Sequence, residues 1–329
     1  MTDLRSISIL VPGKLHPRSV ARIGETFNLI HVESASDITP EIAKAVRGVA
    51  ASPALGPNKI SGEFMQALPA LEIVANFGVG YDGVDAKHAG ANGVMVTNTP
   101  DVLTEEVADT AIGLLLSTVR ELTRAENYLR EGRWAKEGAY RLTPSLRGRK
   151  VGIFGMGRIG QAIARRIEAF GLPVAYHNRS RVAGVAYDYH DTLAGLAGTV
   201  DVLISVAPGT PSTAKAVNAA VLKALGPNGV FINIGRGSTV DEDALIAALK
   251  DGTILASGLD VFMNEPNLRP DFLDLPNATL LPHVGSATVH TRNAMADLVV
   301  DNLIAWFNEG KPLTPVPETE SVTAGVKAK

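Results

Sequence analysis

Val151-Gly-Ile-Phe-Gly155-Met156-Gly157-Arg158-Ile159-Gly160 decides the fold of this 329-residue chain. A short apolar strand runs into glycines spaced GxGxxG, and Gln161-Ala-Ile-Ala-Arg-Arg-Ile continues with helical periodicity. Each glycine has its own physical task. Gly155 permits a tight turn, Gly157 lets the backbone approach a pyrophosphate, and Gly160 lets helix and strand sit close together. The helix N-terminus adds free N–H groups and a positive dipole end, which suit phosphate. The spacing alone is weak, because glycine-rich turns without ligands are common. Here a strand precedes it, a helix follows, and a second strand ends about eighteen residues later, the context of a dinucleotide-binding Rossmann unit.

That second strand bears on which dinucleotide is bound. Its end reads Tyr176-His177-Asn178-Arg179-Ser180-Arg181. An NAD-binding unit places an acid here to accept a hydrogen bond from the ribose 2′-OH. Asn178 stands in that place instead. Arg179 and Arg181 can pair with a 2′-phosphate and Ser180 can donate to it, so the expectation is NADP(H), with NAD(H) as the weaker cofactor. The bland alternative is a pair of solvated loop arginines.

Outward from this core, short apolar runs alternate with helical patterns in both directions, the sequence form of α/β domains with parallel sheets. Upstream, strands are expected at 6–11, 27–32, 48–51, 72–77 and 94–98. Thr104 is read as the N-cap of one long helix reaching about Arg130, with Glu105 and Glu106 in its first turn. A polar excursion at 131–148 follows, containing Trp134, Tyr140 and Pro144. Downstream, strands are expected at 151–154, 173–178, 201–206, 230–234, 256–261 and 279–282. A last helix is expected over 288–308, then a Pro- and Thr-containing tail that is partly disordered. The expected organisation is a dinucleotide-binding domain at 100–287 set into a substrate domain built from 1–99 and 288–329.

Composition excludes several classes. Basic residues number 31 against 34 acidic ones, a net charge of −3, with no long run of either sign, so neither nucleic acid nor a membrane surface is an expected partner. With no cysteine, disulfides, thiolate metal sites and thiol catalysis are excluded. No metal site is expected. The apolar stretch Ile7 to Val11 is too short for a signal peptide, and no segment is long enough to span a bilayer, so the expected setting is cytoplasmic.

Three further strand ends carry polar groups: Asn233-Ile234-Gly235-Arg236-Gly237, then Gly258-Leu-Asp260-Val-Phe-Met-Asn-Glu265-Pro266, then Leu281-Pro-His283-Val-Gly285-Ser286. Ligands of open α/β sheets bind outside the carboxyl ends of the strands. There an Arg, a Glu and a His supply a carboxylate anchor, a partner for an imidazole, and a proton donor. Singly, each has a bland reading as loop cation, turn acid or strand-end histidine. With the three placed together downstream of a nucleotide site, the functional reading outweighs the bland one.

At this point the chain resembles the D-isomer-specific 2-hydroxyacid dehydrogenases, in their glyoxylate/hydroxypyruvate reductase branch, from about Ile7 to Pro312. The motifs are Val74-Ala-Asn-Phe77-Gly-Val79-Gly80-Tyr81-Asp82, Thr97-Asn-Thr-Pro-Asp-Val-Leu-Thr104, the Gly155 turn, and the three strand ends above. The resemblance implies two doubly wound parallel-sheet domains, a Rossmann-type nucleotide domain inserted into a flavodoxin-like substrate domain, with the active site in the cleft between them. It implies that Arg236, Glu265 and His283 are catalytic, that the Val79 and Gly80 N–H groups hold the substrate carboxylate, and that Phe77, Tyr81, Trp134 and Ser286 also face the substrate. On the cofactor side it implies Thr104, Val206, Pro208, Thr213, Ile234, Gly235, Asp260 at the nicotinamide carboxamide, and Gly285, alongside Arg236 and His283. It further implies a homodimer in which Trp134 reaches the partner's pocket.

The implied chemistry is hydride transfer from NADPH to C2 of a small 2-oxo acid. Arg236 holds carboxylate and carbonyl oxygen, and protonated His283 donates to the nascent alkoxide while Glu265 fixes its tautomer. Formate dehydrogenases resemble a pattern with Gln at the place of Glu265. Phosphoglycerate dehydrogenases often carry a long C-terminal domain for which no residues remain here. Aromatic lining leaves phenylpyruvate-type acids open as substrates. An NAD(H)-gated corepressor-like scaffold is the non-enzyme alternative, but the chain lacks the long tail of such proteins.

Overall fold

In the computed structural model, residues 3–52 and 59–324 are described, and two compact units emerge, Met1–Leu103 with Thr288–Lys329, and Thr104–Ala287. The first unit holds strands β1 (Ser8–Pro12), β2 (Asn28–Val32), β3 (Val46–Ala51), β4 (Ile73–Asn76) and β5 (Met95–Thr97). Helices α1 (Pro17–Thr26), α2 (Pro40–Ala45), α3 (Gly62–Gln66) and α4 (Ala86–Ala91) alternate with them. All pairings are parallel, in the order β2-β1-β3-β4-β5. This is the flavodoxin-like doubly wound order. Leu10, Val49 and Val74 from the three central strands are fully buried, as expected of parallel strands covered on both faces.

The second unit begins with α5 (Thr104–Val119), α6 (Leu122–Arg130) and α7 (Arg133–Glu137). Strands β6 (Val151–Phe154), β7 (Val174–His177), β8 (Asp188–His190), β9 (Val202–Ser205), β10 (Val230–Asn233), β11 (Ala256–Leu259) and β12 (Ala278–Leu280) follow. Between them lie α8 (Arg158–Ala169), α9 (Leu193–Ala197), α10 (Ala219–Leu225) and α11 (Glu242–Lys250). The seven strands are ordered β12-β11-β10-β9-β6-β7-β8, all parallel. Read from β8, this is the Rossmann order with one extra strand, and the order reverses between β6 and β9. The expected fold class is therefore met.

Local departures from the sequence reading have physical causes. The helix expected to run unbroken from Thr104 to Arg130 breaks at Glu121, whose φ of 52° is left-handed. That turn half-buries the Glu121 carboxylate, which accepts from the Tyr140 hydroxyl at 2.7 Å and pairs with Arg141. Thr104 is the first helical residue rather than the cap. Strand β8 escaped notice because three residues, two of them polar, carry too little pattern.

The tail expected to be partly disordered is ordered as far as Ala324 and ends in α12 (Val289–Glu309) plus a packed extension; residues 325–329 lie outside the described residues. Val316 and Thr319 are buried. The Val316 N–H donates to the Val96 carbonyl at 2.9 Å, and the Thr319 hydroxyl accepts from the Val96 N–H at 3.1 Å. The extension thus completes the edge beyond β5. Among the described residues, no helix is long and apolar enough to cross a membrane.

Candidate active site

The glycines of the β6–α8 turn divide their tasks in atomic detail. Gly155 sits at φ 104°, and a Cβ there would lie 2.8 Å from the Ala207 nitrogen. A Cβ on Gly160 would lie 2.1 Å from the Gly155 carbonyl oxygen, so only glycine lets α8 start this close to β6. A Cβ on Gly157 would meet nothing within 4 Å. Open space therefore stands over the middle of the turn. The first backbone bond of α8 runs from Gln161 N–H to the Gly157 carbonyl at 2.9 Å, so the N–H groups ahead of Gln161 lie outside the helical ladder. The residues present fit a dinucleotide pyrophosphate.

Asn178, at the end of β7, accepts the Met156 N–H on its Oδ1 at 3.2 Å, which ties the β7 end to the glycine turn. Arg179, Ser180 and Arg181 follow, all exposed. Neither arginine is paired with a carboxylate among the described residues. On the far side of the turn, the Thr213 hydroxyl donates to the Pro208 carbonyl at 2.6 Å and shapes the loop after β9. Val206 follows β9 directly, with its N–H on the Phe154 carbonyl at 2.9 Å.

Three loops place the candidate catalytic side chains. After β10, the Arg236 carbonyl accepts from Asn233 Nδ2 at 3.0 Å and from the Thr239 hydroxyl at 2.7 Å. A Cβ on Gly237 would lie 1.9 Å from the Phe262 carbonyl carbon, so the loops after β10 and β11 meet backbone to backbone. After β11, the Glu265 carboxylate accepts the Phe262 N–H at 2.8 Å through Oε1 and lies 2.5 Å from His283 Nδ1 through Oε2. After β12, His283 has a left-handed φ of 53°. Asp260 holds that conformation: its carbonyl accepts the His283 N–H at 2.9 Å, and its two carboxylate oxygens accept the Val284 and Gly285 N–H groups at 2.7 and 2.9 Å.

Electrostatics follow from this geometry. Burial alone would raise the Glu265 carboxyl. The hydrogen bond and charge of His283, the Phe262 N–H and the Arg236 guanidinium outweigh it and hold Glu265 below the ordinary carboxylate range. Burial pushes Asp260 up, a shift only partly offset by the Val284 and Gly285 N–H groups. The arrangement pairs an ionised acceptor with Nδ1 of an imidazole, fixes the tautomer, and leaves Nε2 to exchange a proton. Ile234, Gly235 and Ser286 lie at the same strand ends, and a Cβ on Gly285 would crowd Asp260 Oδ2 at 3.0 Å.

In the first unit, the loop after β4 is held by side-chain hydrogen bonds. Asn76 Nδ2 donates to the Gly78 and Gly80 carbonyls at 3.0 and 3.1 Å, and Asn98 Nδ2 donates to the Val79 carbonyl at 2.8 Å. The Thr99 hydroxyl accepts the Gly78 N–H at 3.1 Å. With these carbonyls taken by side chains, the Val79 and Gly80 N–H groups have no acceptor among the described residues. Sequence reasoning quoted Asn76, Asn98 and Thr99 inside motifs without giving them this work. Phe77, expected to line a pocket, is 4% exposed, its ring stacked on His16 at 5.9 Å and capped by Arg292 at 5.8 Å. The Tyr81 hydroxyl donates to Glu318 Oε2 at 3.0 Å, and burial first, then that carboxylate, pushes it up to about 12. Trp134, on α7, is 62% exposed.

Fold and strand-end chemistry together define a Rossmann-type oxidoreductase that uses a nicotinamide dinucleotide. Comparison with known proteins agrees: residues 112–285 match the family model described as D-isomer specific 2-hydroxyacid dehydrogenase, NAD binding domain. The chain belongs to the D-isomer-specific 2-hydroxyacid dehydrogenase family.

Among its relatives is the hydroxyphenylpyruvate reductase of Plectranthus scutellarioides, 48% identical over 83% of this chain and 86% of that protein. Glyoxylate/hydroxypyruvate reductase A of Arabidopsis thaliana is 43% identical over 95% of this chain and all (100%) of the relative. A solved structure from Sinorhizobium meliloti, described as an NADPH-dependent glyoxylate/hydroxypyruvate reductase in complex with NADP and malonate, superposes with a TM-score of 0.92. It is 60% identical, covering 95% of this chain and 98% of that one.

Proposed function

We propose that this chain reduces a small 2-oxo acid, glyoxylate or hydroxypyruvate, to the D-2-hydroxy acid with NADPH. The observation that carries the reading is the Glu265–His283 pair at 2.5 Å, held in the loops after β11 and β12 beside the loop after β10 that carries Arg236. The residues named here as catalytic or binding are part of the proposal.

In this reading, residues 104–287 form the nucleotide domain and the remainder of the chain the substrate domain. The Val79 and Gly80 N–H groups take the substrate carboxylate, and Arg236 engages the carboxylate and the carbonyl oxygen together. A bound NADPH supplies the hydride for C2. As negative charge grows on the ketone oxygen, Arg236 stabilises it and His283 donates the Nε2 proton, so hydride and proton together complete the alcohol. Glu265 stabilises the imidazolium that starts the cycle. In the reverse direction neutral His283 accepts the proton. Preference for NADPH rests on Arg179, Ser180 and Arg181 and on the absence of an acid at Asn178, and it accords with the description of the Sinorhizobium meliloti relative. A cytoplasmic setting, where NADPH is kept reduced, belongs to the same reading.

A homodimer is also proposed. Leu122, Leu129, Trp134 and Leu142, all within twenty-odd residues, are 48, 54, 62 and 96% exposed, an apolar run that a second copy would cover. The experiment that tests the function is a panel of 2-oxo acids, including glyoxylate, hydroxypyruvate and hydroxyphenylpyruvate, assayed by kcat/KM with NADPH. Highest kcat/KM on the two small acids is expected. No turnover of any 2-oxo acid overturns the reading, and a clear preference for the aromatic acid overturns its substrate class.

A further inference from the structure

The loop proposed to read the cofactor's 2′-phosphate is built on two tyrosines of neighbouring strands. Tyr176 on β7 and Tyr189 on β8 are register partners, and their rings lie 5.3 Å apart. The Tyr189 hydroxyl donates to the Asn178 carbonyl at 3.3 Å, and the Tyr176 hydroxyl accepts the Val182 N–H at 3.0 Å. The two hydroxyls therefore pin the loop at residues 178 and 182, leaving Arg179, Ser180 and Arg181 between them. The Arg181 guanidinium lies over the Tyr189 ring, 5.5 Å from its centroid. An exposed arginine costs rotamer freedom when it engages a phosphate, and an aromatic face that already holds it reduces that cost. Asn178 in turn grips the glycine turn through Met156, so the tyrosines, the arginine and the pyrophosphate site form one connected array.

We propose that Tyr189 is a positioning residue for cofactor choice: its ring holds Arg181 ready for the 2′-phosphate, and so favours NADPH over NADH. The inference rests on the reading of 178–181 as the 2′-phosphate site. It involves no group that touches the substrate or the reacting carbon. Its effect should therefore appear in KM for NADPH alone.

The test is steady-state kinetics with NADPH and NADH at saturating glyoxylate for wild type, Tyr189→Leu, Tyr189→Phe, Arg181→Ala and the Arg181→Ala/Tyr189→Leu double variant. An exposed cation–π contact supports an expected rise in NADPH KM of roughly two- to fivefold for Tyr189→Leu. Its kcat and its NADH KM should stay within about twofold, the loss falling on the phosphate-bearing cofactor alone. Tyr189→Phe keeps the ring and gives up only the bond to the Asn178 carbonyl, so its NADPH KM should rise less than that of Tyr189→Leu. In the double variant, Tyr189→Leu should add nothing to Arg181→Ala, because its effect passes through that arginine. If Tyr189→Leu is recovered unfolded, Tyr189→Ile, with its strand preference, carries the same measurement. Equal losses with NADPH and NADH, unchanged NADPH KM, or additive effects in the double variant overturn the proposal. Wild type favouring NADH, or Arg181→Ala leaving NADPH KM unchanged, instead overturns the reading of the loop on which it rests.

Discussion

Two glycine turns, one in each unit, leave backbone N–H groups outside the regular hydrogen-bond ladders by different means, and both are proposed to hold an anion. The turn after β6 uses a helix: α8 begins at once, and its N-terminus supplies both donors and dipole. The turn after β4 has no helix of its own until Ala86, and its Gly78, Val79 and Gly80 carbonyls are taken by Asn76 and Asn98 while the Val79 and Gly80 N–H groups keep no acceptor among the described residues. A helix dipole suits a spread, multiply charged pyrophosphate. A side-chain-pinned cradle presents two or three donors at fixed spacing, which suits one small carboxylate. The chemical pair, Glu265 and His283, belongs to neither turn. Holding, in this account, is separated from proton transfer, and substitutions should separate them too.

The largest expected effect falls on proton transfer. His283→Ala should lower kcat by roughly 10²–10⁴-fold while NADPH affinity stays nearly intact, since the proton matters only as the alkoxide develops. Stopped-flow or fluorescence titration with NADPH, beside steady-state turnover, checks both halves. A near-normal kcat removes His283 from the mechanism.

Breaking the helical turn comes next. Gly157→Val finds open space, so the fold should survive, but the side chain occupies the place of the pyrophosphate. KM for NADPH should rise by about 10²-fold, corresponding to about 2.7 kcal/mol of lost binding, with little change in Tm. Gly160→Ala should do the reverse of this in kind, lowering Tm because its methyl meets the Gly155 carbonyl oxygen at 2.1 Å. If Gly157→Val binds NADPH normally, the open space over the turn is not the pyrophosphate site.

The pinned cradle is tested by Asn76→Ala, which frees the Gly78 and Gly80 carbonyls. Two lost hydrogen bonds at about 1 kcal/mol each predict a KM for the 2-oxo acid raised by roughly tenfold or more, with NADPH KM unchanged. Equal effects on both ligands would mean that the two turns are not independent.

The smallest effect is a pH dependence of stability. Glu265 is held below its ordinary value of 4.5, so the folded state favours its ionised form. Its contribution is complete above the unfolded value and is lost as pH falls through the lower folded one. The Tm of wild type should exceed that of Glu265→Gln by roughly 2–4 °C at about pH 6, a gap that closes towards pH 3. Scanning calorimetry across that range checks it; a gap that widens on acidification contradicts the sign.

How far all this was legible in the sequence differed between the two turns. GxGxxG sits between a strand and a helix whose patterns are local, so its fold and the task of each glycine could be read directly from residues 151–167. The order of the sheet could be inferred only through family resemblance, because parallel pairing joins segments far apart in the chain. The cradle at 78–80 was visible as a glycine turn, but its mechanism was not: Asn98 acts on Val79 from the next strand, and no local pattern announces a carbonyl taken by a distant side chain. Asn233 and Thr239, which hold the Arg236 carbonyl, were missed for the same reason. The break at Glu121 was hidden because its cause, Tyr140 and Arg141, lies some twenty residues downstream. Tyr189 was missed with β8, a strand too short and too polar to show period-two alternation.

The central claim, hydride transfer to C2 with the proton supplied by the protein, is tested most directly by following the label. Hydroxypyruvate should be reduced by the wild-type protein with NADPH carrying deuterium at the transferable C4 position, and the glycerate analysed for enantiomer and label. The account predicts D-glycerate with one deuterium at C2, its hydroxyl proton drawn from solvent through His283. Unlabelled glycerate, the L enantiomer, or no glycerate at all would contradict it.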